Sequence, residues 1–279
     1  MFHVQKMAVD DFAFAVRLTN TMNWNLVEED FQFMTDLEPD GCFIIWDESE
    51  RIGVATTISY GKVGWLGNVI VREEYRGKGV GSLLVKHALD FLIKQEVKTI
   101  GLYAYKNKIS FYQRLGLEYD SDFIVLRGKP DSSSEQVHQR DAIKNDERKI
   151  IDLDHFCFGA SRHKLLTPIL GESSNTCYVA GKKGLILGFV VAKVYPEMAE
   201  VGPLVCQRGC SDIAVDLLKA VLNRVKNLEV VTCIPEKETI IRSTLMKQGF
   251  SEAFRVARMF YGVPRLNDCI YMAESLERG

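Results

Sequence analysis

Residues 64–85 read GWLGNVIVREEYRGKGVGSLLV, and the order of residue types in this stretch indicates the fold. The apolar run at its start predicts a buried strand. The charged, glycine-rich middle predicts a turn, and apolar residues then recur at helical spacing from Leu83 to Leu92. The stretch therefore predicts a strand, a loop and a helix in direct succession.

The loop has the composition of an anion site. Gly77, Gly79 and Gly81 can adopt positive φ and have no side chain to obstruct a ligand. Several backbone N–H groups can therefore point into one concavity at the helix N-terminus, where the helix dipole favours an anion. Arg76 and Lys78 add positive charge beside it. These features predict a phosphate or pyrophosphate cradle.

Two common phosphate-binding loops do not match. A P-loop requires Gly-x-x-x-x-Gly-Lys-Ser/Thr, but Gly77 and Lys78 are followed by Gly79, and no glycine stands five positions before Gly77. A dinucleotide-binding turn requires a third glycine, where this chain has Ser82, and an acidic residue about 20 positions later, near Gly101. The sequence excludes the first loop and disfavours the second.

The remaining pattern, Arg76-x-x-Gly79-x-Gly81 after an apolar strand, resembles the acyl-CoA loop of the GCN5-related N-acetyltransferase (GNAT) family. A second motif supports the resemblance, because residues 107–117 read NKISFYQRLGL. In the family this segment is a short helix with Asn at its head, an aromatic-Tyr pair and a final Gly-Phe. Asn107 is predicted to be the N-cap and Gly116 the left-handed C-terminal residue. The resemblance covers most of residues 1–128.

The resemblance implies acetyl-CoA as co-substrate and Tyr112 as the catalytic acid, since the family places this hydroxyl beside the CoA sulfur. An aromatic packed beside Phe111 is the alternative interpretation of Tyr112. Backbone N–H groups of residues 69–71 would hold the thioester and pantetheine. The implied cofactor contacts are Val69, Ile70, Val71, Arg76, Gly77, Lys78, Gly79, Val80, Gly81, Ser82, Asn107 and Phe111.

The acceptor side is less well defined by the sequence. In the resembled fold the loop between the first two helices walls the acceptor site, so Trp24 and Asn25 are candidate substrate contacts. A packing anchor for that loop is the alternative interpretation of Trp24. The general base stays unassigned among Glu28, Glu29, Asn68, Tyr103 and a water chain.

Composition limits the class of partner. The 279 residues carry a formal net charge of −2, and the pI is about 6.2, so no global basic field favours nucleic acid or an anionic membrane. No apolar run of about 18 residues occurs, and the N-terminus lacks the apolar core of a signal peptide. Seven cysteines without a Cys-x-x-Cys pair argue against a metal site. We expect a soluble, cytoplasmic protein with reduced thiols.

The order of elements repeats along the chain. Gly249-Phe250 stands 133 positions after Gly116-Leu117, and a strand, a helix and a strand precede both pairs. Residues 129–135, a polar segment without apolar period, are the predicted linker between a catalytic domain at 1–128 and a second domain at 136–279. The predicted fold class is α/β (α+β), with two tandem GNAT-like domains. Each is expected to have a mixed, mostly antiparallel sheet flanked by helices, with splayed central strands.

The chemical residues do not repeat with the fold. At the same offset the loop motif becomes Gly209-x-x-Asp212-x-Ala214, and Tyr112 corresponds to Leu245. A carboxylate in a loop that should receive pyrophosphate opposes binding by like charge. The second domain is therefore predicted to be degenerate.

The predicted function is transfer of an acetyl or short acyl group from acyl-CoA to a primary amine of a small molecule. Because neither motif places a cysteine beside a histidine, direct attack without an acyl-enzyme is favoured. The alternative is a non-catalytic regulator that binds acyl-CoA. The oligomeric state is not indicated by the sequence.

Overall fold

The computed structural model describes residues 1–130, 139–182, 184–263 and 269–279. The predicted linker at 129–135 therefore lies outside the described residues from position 131 onward. The elements of the first half are β1 (Phe2–Lys6), α1 (Phe12–Asn20), α2 (Glu28–Leu37), β2 (Cys42–Asp47), β3 (Glu50–Ser59), β4 (Val63–Val71), α3 (Val80–Lys94), β5 (Thr99–Tyr105), α4 (Ile109–Gln113) and β6 (Glu118–Gly128).

The second half repeats this order. Its elements are β7 (Arg140–Asp141), α5 (Glu147–Phe158), α6 (His163–Gly171), β8 (Thr176–Lys182), β9 (Leu185–Val194), β10 (Met198–Cys206), α7 (Ser211–Arg224), β11 (Glu229–Pro235), α8 (Thr239–Lys247), β12 (Ser251–Gly262) and β13 (Ile270–Met272). Strand, helix, strand and helix over β10–α7–β11–α8 thus follow the same succession as β4–α3–β5–α4.

The strands of both halves form one continuous sheet, which has thirteen strands within the described residues. The strand order is β1-β2-β3-β4-β5-β12-β6-β11-β10-β9-β8-β7, and β13 pairs with β10. Parallel pairing occurs between β4 and β5 and between β10 and β11, and the other described pairs are antiparallel. The predicted mixed, mostly antiparallel class is confirmed.

The last strand of each half is exchanged between the halves. Strand β12 lies between β5 and β6, with Val256 opposite Tyr105 and Gly262 opposite Thr99. Strand β6 in turn pairs with β11, from Gly128 opposite Val230 to Phe123 opposite Pro235. The division at residue 128 stays a prediction, but hydrogen bonding crosses it in both directions. Each half therefore completes the sheet of the other.

Helices cover both faces of this sheet. On one face α1 and α2 of the first half share a core with α5 and α6 of the second. On the other face α3 packs on the first half, and α7 and α8 pack on the second. The core on the first face is thus shared by the two halves, whereas on the other face each half has its own core.

The helix ends correct one prediction and confirm another. Asn107 lies inside a 3-10 turn, Lys106–Lys108, and Lys108 precedes α4 without a side-chain cap, so Asn107 is not the N-cap. Gly116 has φ 88° and Gly249 has φ 83°, as expected for left-handed C-terminal residues. After each glycine an N–H returns to the preceding helix: Leu117 donates to Tyr112 O and Phe250 to Leu245 O, both at 3.2 Å. Tyr112 and Leu245 are therefore equivalent positions.

Replacing Leu245 with alanine is expected to reduce stability without changing chemistry. The side chain is fully buried under α8, so its removal should lower the free energy of unfolding by about 2–5 kcal/mol. Denaturant titration followed by circular dichroism measures this loss. Ile240→Ala in the same helix is the control, since Ile240 is 58% exposed and its loss should change stability by about 0.5 kcal/mol or less. Equal effects of the two substitutions would contradict the assignment of Leu245 to the core.

Candidate active site

The site lies where β4 and β5 separate. The two strands pair at Val63–Thr99, Gly64–Ile100 and Trp65–Gly101, and their described residues form no further ladder beyond that point. Trp65 lies directly over Gly101, where an added Cβ would come within 2.2 Å of the indole ring. Strand β5 is held on its other side by β12. The splay leaves backbone groups of β4 after residue 65 without a β5 partner.

A bulge in β4 sits at the start of this opening. Val54 pairs with Ile70 but Thr56 pairs with Gly67, so β4 has an extra residue in between. Asn68 lies in the bulge with φ 50° and is 7% exposed. Its Nδ2 donates to Thr56 Oγ1 at 3.2 Å, whereas its Oδ1 is buried and accepts no hydrogen bond from the described residues. The bulge thus leaves one buried amide acceptor free beside the splay.

The predicted anion cradle follows β4 directly. Gly77 and Gly79 have φ of 77° and 83°, and Gly79 immediately precedes α3 without any side-chain cap. The first intrahelical bond runs from Leu83 N to Gly79 O. The N–H groups of residues 80–82 have no intrahelical acceptor and are available to an anion.

Gly81 differs from the prediction. It is the second residue of α3 and is absent from the positive-φ backbone positions of the described chain. Its missing side chain instead leaves room beside α4, since an added Cβ would lie 3.5 Å from the ring of Phe111. Every residue can adopt helical φ, so the backbone does not require glycine at position 81. What glycine provides there is room near the helix N-terminus.

Several charged side chains around the cradle already have partners within the protein. Arg76 Nε donates to the carbonyl of Val71 at 3.0 Å, which ties the loop to the end of β4. Lys78 Nζ lies 5.3 Å from the ring centre of Tyr75. Arg72 forms ion pairs with Glu50 and Glu74. The exposed Arg76 and Lys78 are the cations positioned beside the helix N-terminus.

Tyr112 lies on the α3 face of the splay. Its side chain packs in the core cluster that contains α3 and contacts the ring of Phe111 edge-on at 4.9 Å. Burial raises the pKa of Tyr112 well above its usual value, so the hydroxyl stays protonated near neutral pH. The hydroxyl forms no hydrogen bond within the described part of the chain. A buried phenol that stays protonated and whose hydroxyl has no hydrogen-bond acceptor has the properties of a general acid.

The loop before α2 closes the opposite side of the opening. Trp24 Nε1 donates to Tyr105 Oη at 2.9 Å, which fixes this loop to β5. The bond favours the anchoring interpretation of Trp24. Asn25 is exposed with φ 56°, and its role as a substrate contact remains a prediction.

The equivalent opening in the second half is filled by the chain itself. Strand β13 pairs with β10 through Leu204–Met272 and Val205–Ile270, and Ala273 N donates to Cys233 O of β11 at 2.9 Å. The connection before the helix is also half as long, since residues 207–210 replace residues 72–79. Asp212, which the 133-residue offset aligns with Gly79, is the second residue of α7 and therefore takes the place of Gly81 in α3, where it adds a carboxylate. A pantetheine chain has no free slot here.

Arg162 has a structural role. It is 1% exposed, binds both oxygens of Asp154 at 3.0 and 2.6 Å and donates to the carbonyl of Gly279. These contacts engage all three nitrogens of the buried guanidinium. His163, its neighbour, is exposed.

The fold and site geometry define a class of protein, and sequence comparison agrees with it. A model described as the acetyltransferase (GNAT) family matches residues 12–117, and a model described as an acetyltransferase (GNAT) domain matches residues 150–271. The chain belongs to the GNAT acetyltransferase family. Because both halves match, it is a tandem member, and its second half is degenerate at the loop, at Leu245 and at the filled splay.

Individual relatives resemble this chain over different lengths. It is 34% identical over 80 residues to the chloroplastic GCN5-related N-acetyltransferase 2 of Arabidopsis thaliana, a match that spans 28% of this chain and 30% of that protein. It is 22% identical over 205 residues to the uncharacterized N-acetyltransferase YitH of Bacillus subtilis, covering 72% of this chain and 71% of YitH.

A solved structure shares the whole fold. A putative acetyltransferase from Pyrococcus horikoshii superposes with a TM-score of 0.81 at 20% identity, covering 100% of this chain and 96% of that one. This likeness supports the two-half fold and carries no information on substrate.

The described ranges contain neither a metal-binding cluster nor a membrane-spanning helix. No group of three or more His, Cys, Asp or Glu side chains there is arranged to hold a metal ion. No helix in residues 1–130, 139–182, 184–263 or 269–279 has the length and apolarity to cross a bilayer.

Sequence reasoning missed one part of the site. The segment from Ala273 to Gly279 leaves the second half and lies against β4, where a Cβ on Gly67 would be 2.6 Å from the carbonyl oxygen of Glu277. Nothing in the residue pattern of this segment indicates that contact, because it joins positions about two hundred residues apart.

Proposed function

We propose that this protein is an acyl-CoA-dependent N-acetyltransferase whose first half transfers an acetyl or short acyl group to a primary amine of a small molecule. The observation that carries the proposal is that the first half combines an uncapped N-terminus of α3, the aromatic pair Phe111 and Tyr112 packed beside that helix, and a splay between β4 and β5. In this proposal the pyrophosphate binds at residues 77–82 and the thioester lies in the splay.

Groups of the chain itself would bind the thioester and protonate the leaving group. Backbone N–H groups of residues 69–71, left without a β5 partner, would bind the thioester carbonyl and pantetheine. An alkylamine has a pKa of about 10, so only about a thousandth is unprotonated at pH 7 and a base is needed. Tyr112 would donate a proton to the departing thiolate.

Direct attack by the amine fits the surroundings better than an acyl-enzyme. A covalent route needs an activated thiolate. Burial raises the pKa of Cys42 to about 12 and that of Cys177 to about 12, which keeps both thiols protonated. Burial also raises the pKa of Cys157, Cys206 and Cys233 well above the usual range.

A small acceptor is favoured by what covers the opening. On the face opposite α3 the second half closes over β4, with Leu276 O accepting from Trp65 Nε1 at 3.3 Å and Arg278 O accepting from Tyr60 Oη at 2.9 Å. A cavity of about 30 Å³ lies between the halves, beside Trp65, Tyr103 and Gly279. A folded protein surface could not reach the splay from this side.

A thiol-release screen tests the proposal. Purified protein, acetyl-CoA and a panel of alkylamines, amino acids and polyamines are mixed, and free CoA is followed with a thiol reagent. We expect steady CoA release above background hydrolysis with at least one amine, and mass spectrometry should find the acetylated amine. Saturable acetyl-CoA binding without turnover across the panel would instead support the regulator.

A further inference from the structure

The segment Ala273–Gly279 brings Glu277 of the second half against β4, beside the candidate active site of the first. Gly67 of β4 has no side chain, and the backbone of Glu277 occupies that space: an added Cβ would lie 2.7 Å from Glu277 Cα and 2.9 Å from its Cβ. Gly67 immediately precedes the bulge at Asn68. Glu277 therefore stands beside the point where the thioester is proposed to lie.

Buried charges hold this segment in place. Lys193 Nζ donates to Glu274 O at 2.9 Å, and Arg278 Nε donates to Glu274 Oε2 at 3.0 Å. Burial alone would raise the pKa of Glu274, but Arg278 and Lys193 hold it well below its usual range. Glu200 completes the cluster, 2.7 Å from Lys193. The carboxylate of Glu274 is thus neutralised by two cations and fixes the backbone on either side of Glu277.

Glu277 itself remains available. Its carboxylate forms no ion pair with the described residues, whereas its neighbours Glu274 and Arg278 both do. Burial raises the pKa of Glu277 above its usual range, against the opposing effect of Arg278. A carboxylate that is partly buried and not committed to a cation can accept a proton.

Glu277 and the free oxygen of Asn68 lie on the same face of the sheet. Val54 and Ile58, which flank Thr56 at alternate positions of β3, pack in the shared core with Trp65. Thr56, which binds the Asn68 side chain, therefore points to that face, and so does Gly67, two positions from Trp65. Tyr112 packs on the opposite face with α3. An amine and a departing thiolate can thus occupy opposite sides of the splay.

We propose that Glu277 is the general base that deprotonates the acceptor amine and that Asn68 Oδ1 accepts a hydrogen bond from the attacking nitrogen. This inference rests on the proposed N-acetyltransferase function. It assigns the acceptor's amine to the junction between the bulge of one half and the terminal segment of the other.

The proton and electron transfers balance. Glu277 takes one proton from the ammonium and passes it to solvent, and the freed nitrogen lone pair forms the C–N bond at the thioester carbonyl. The C–S bond breaks with its electron pair on sulfur, and Tyr112 protonates that thiolate. Glu277 accepts the second nitrogen proton as the amide forms and releases it to solvent, and Tyr112 is reprotonated from solvent. The products are an amide, a free thiol and one released proton.

The other candidates are less suitable. Glu28 and Glu29 are exposed in the first turn of α2. Tyr103 is enclosed by Trp65 and Phe123, with ring centres 5.1 and 4.9 Å away, and burial raises its pKa well above the usual value. A phenol that stays protonated is a poor base at neutral pH.

Glu277→Gln tests the assignment, because it keeps the shape of the side chain and removes its basicity. For an alkylamine acceptor, kcat/KM should fall by about 10²–10⁴-fold, while the acetyl-CoA Kd measured by calorimetry stays unchanged. For an alkoxyamine, which is already unprotonated at neutral pH, the loss should be less than about tenfold. Asn68→Gly, which tolerates the positive φ, should raise KM for either amine. Glu229→Gln, an exposed acid at the far end of β11, is the matched control and should retain activity.

Each outcome is decisive. Equal losses of Glu277→Gln with both amines would assign Glu277 a structural role and overturn the proposal, as would unimpaired turnover with the alkylamine. In both cases the N-acetyltransferase function would stand, because the unmodified protein still turns over. Absence of turnover by the unmodified protein with every amine would remove the function and this inference together.

Discussion

Gly81→Glu is expected to abolish acetyl-CoA binding while leaving the first half folded. Gly81 is the second residue of α3, and a side chain there meets the Phe111 ring at 3.5 Å, which is ordinary contact. The glutamate would place a carboxylate where the pyrophosphate binds, and like charge at close range costs several kcal/mol. Since about 1.4 kcal/mol corresponds to a factor of ten, affinity should fall by about 100-fold or more.

Stability is expected to move in the opposite direction. Glycine inside a helix is destabilising by about 0.5–1 kcal/mol relative to alanine, and an acid in the first turn gains about 0.3–1 kcal/mol from the helix dipole. Isothermal calorimetry and thermal unfolding of the same variant separate the two effects. A folded Gly81→Glu protein with unchanged acetyl-CoA affinity would contradict the cradle.

Gly81→Ala is the matched control for that experiment. It adds the same Cβ without a charge, so it should keep measurable acetyl-CoA affinity and gain stability. Gly79→Glu is a weaker test, because Gly79 has φ 83° and any other residue there is strained by about 1–2 kcal/mol. Loss of binding in that variant could arise from the backbone alone.

Tyr112→Phe is expected to reduce kcat by about 10²-fold or more, with acetyl-CoA affinity near normal. The phenylalanine keeps the packing beside Phe111 and α3. Because the lost hydroxyl has no hydrogen-bond partner among the described residues, no buried group is left unsatisfied and the free energy of unfolding should change little. Stopped-flow or steady-state CoA release measures the rate, and denaturant titration checks the fold.

Tyr178→Phe provides the comparison, since it removes a phenol from β8 of the second half and should leave kcat unaltered. If Tyr112→Phe turned over as fast as the unmodified enzyme, Tyr112 would not be an essential acid. Water or the acceptor would then have to protonate the thiolate.

The elements of the site came from short-range patterns in the sequence. The strand, loop and helix at residues 64–85 are defined by apolar periodicity and glycine spacing, and so is the turn at Gly116. Repetition of the same order identified the second half and its degenerate loop. The two predictions that the structure corrects also concern local geometry. Asn107 belongs to a 3-10 turn and is not the N-cap, and Gly81 is helical, without positive φ, and leaves space beside Phe111.

The sequence by itself thus determined the family, the tandem order of elements and the α3 side of the candidate site. Only the tertiary structure decided that β6 and β12 are exchanged between the halves, that β13 fills the second splay and that Glu277 lies against Gly67. The physical reason is that alternating apolar and polar residues predict that a strand pairs in a sheet, but they do not indicate which strand it pairs with. Contacts between residues more than a hundred positions apart depend on which distant edges and gaps remain open once both halves have packed.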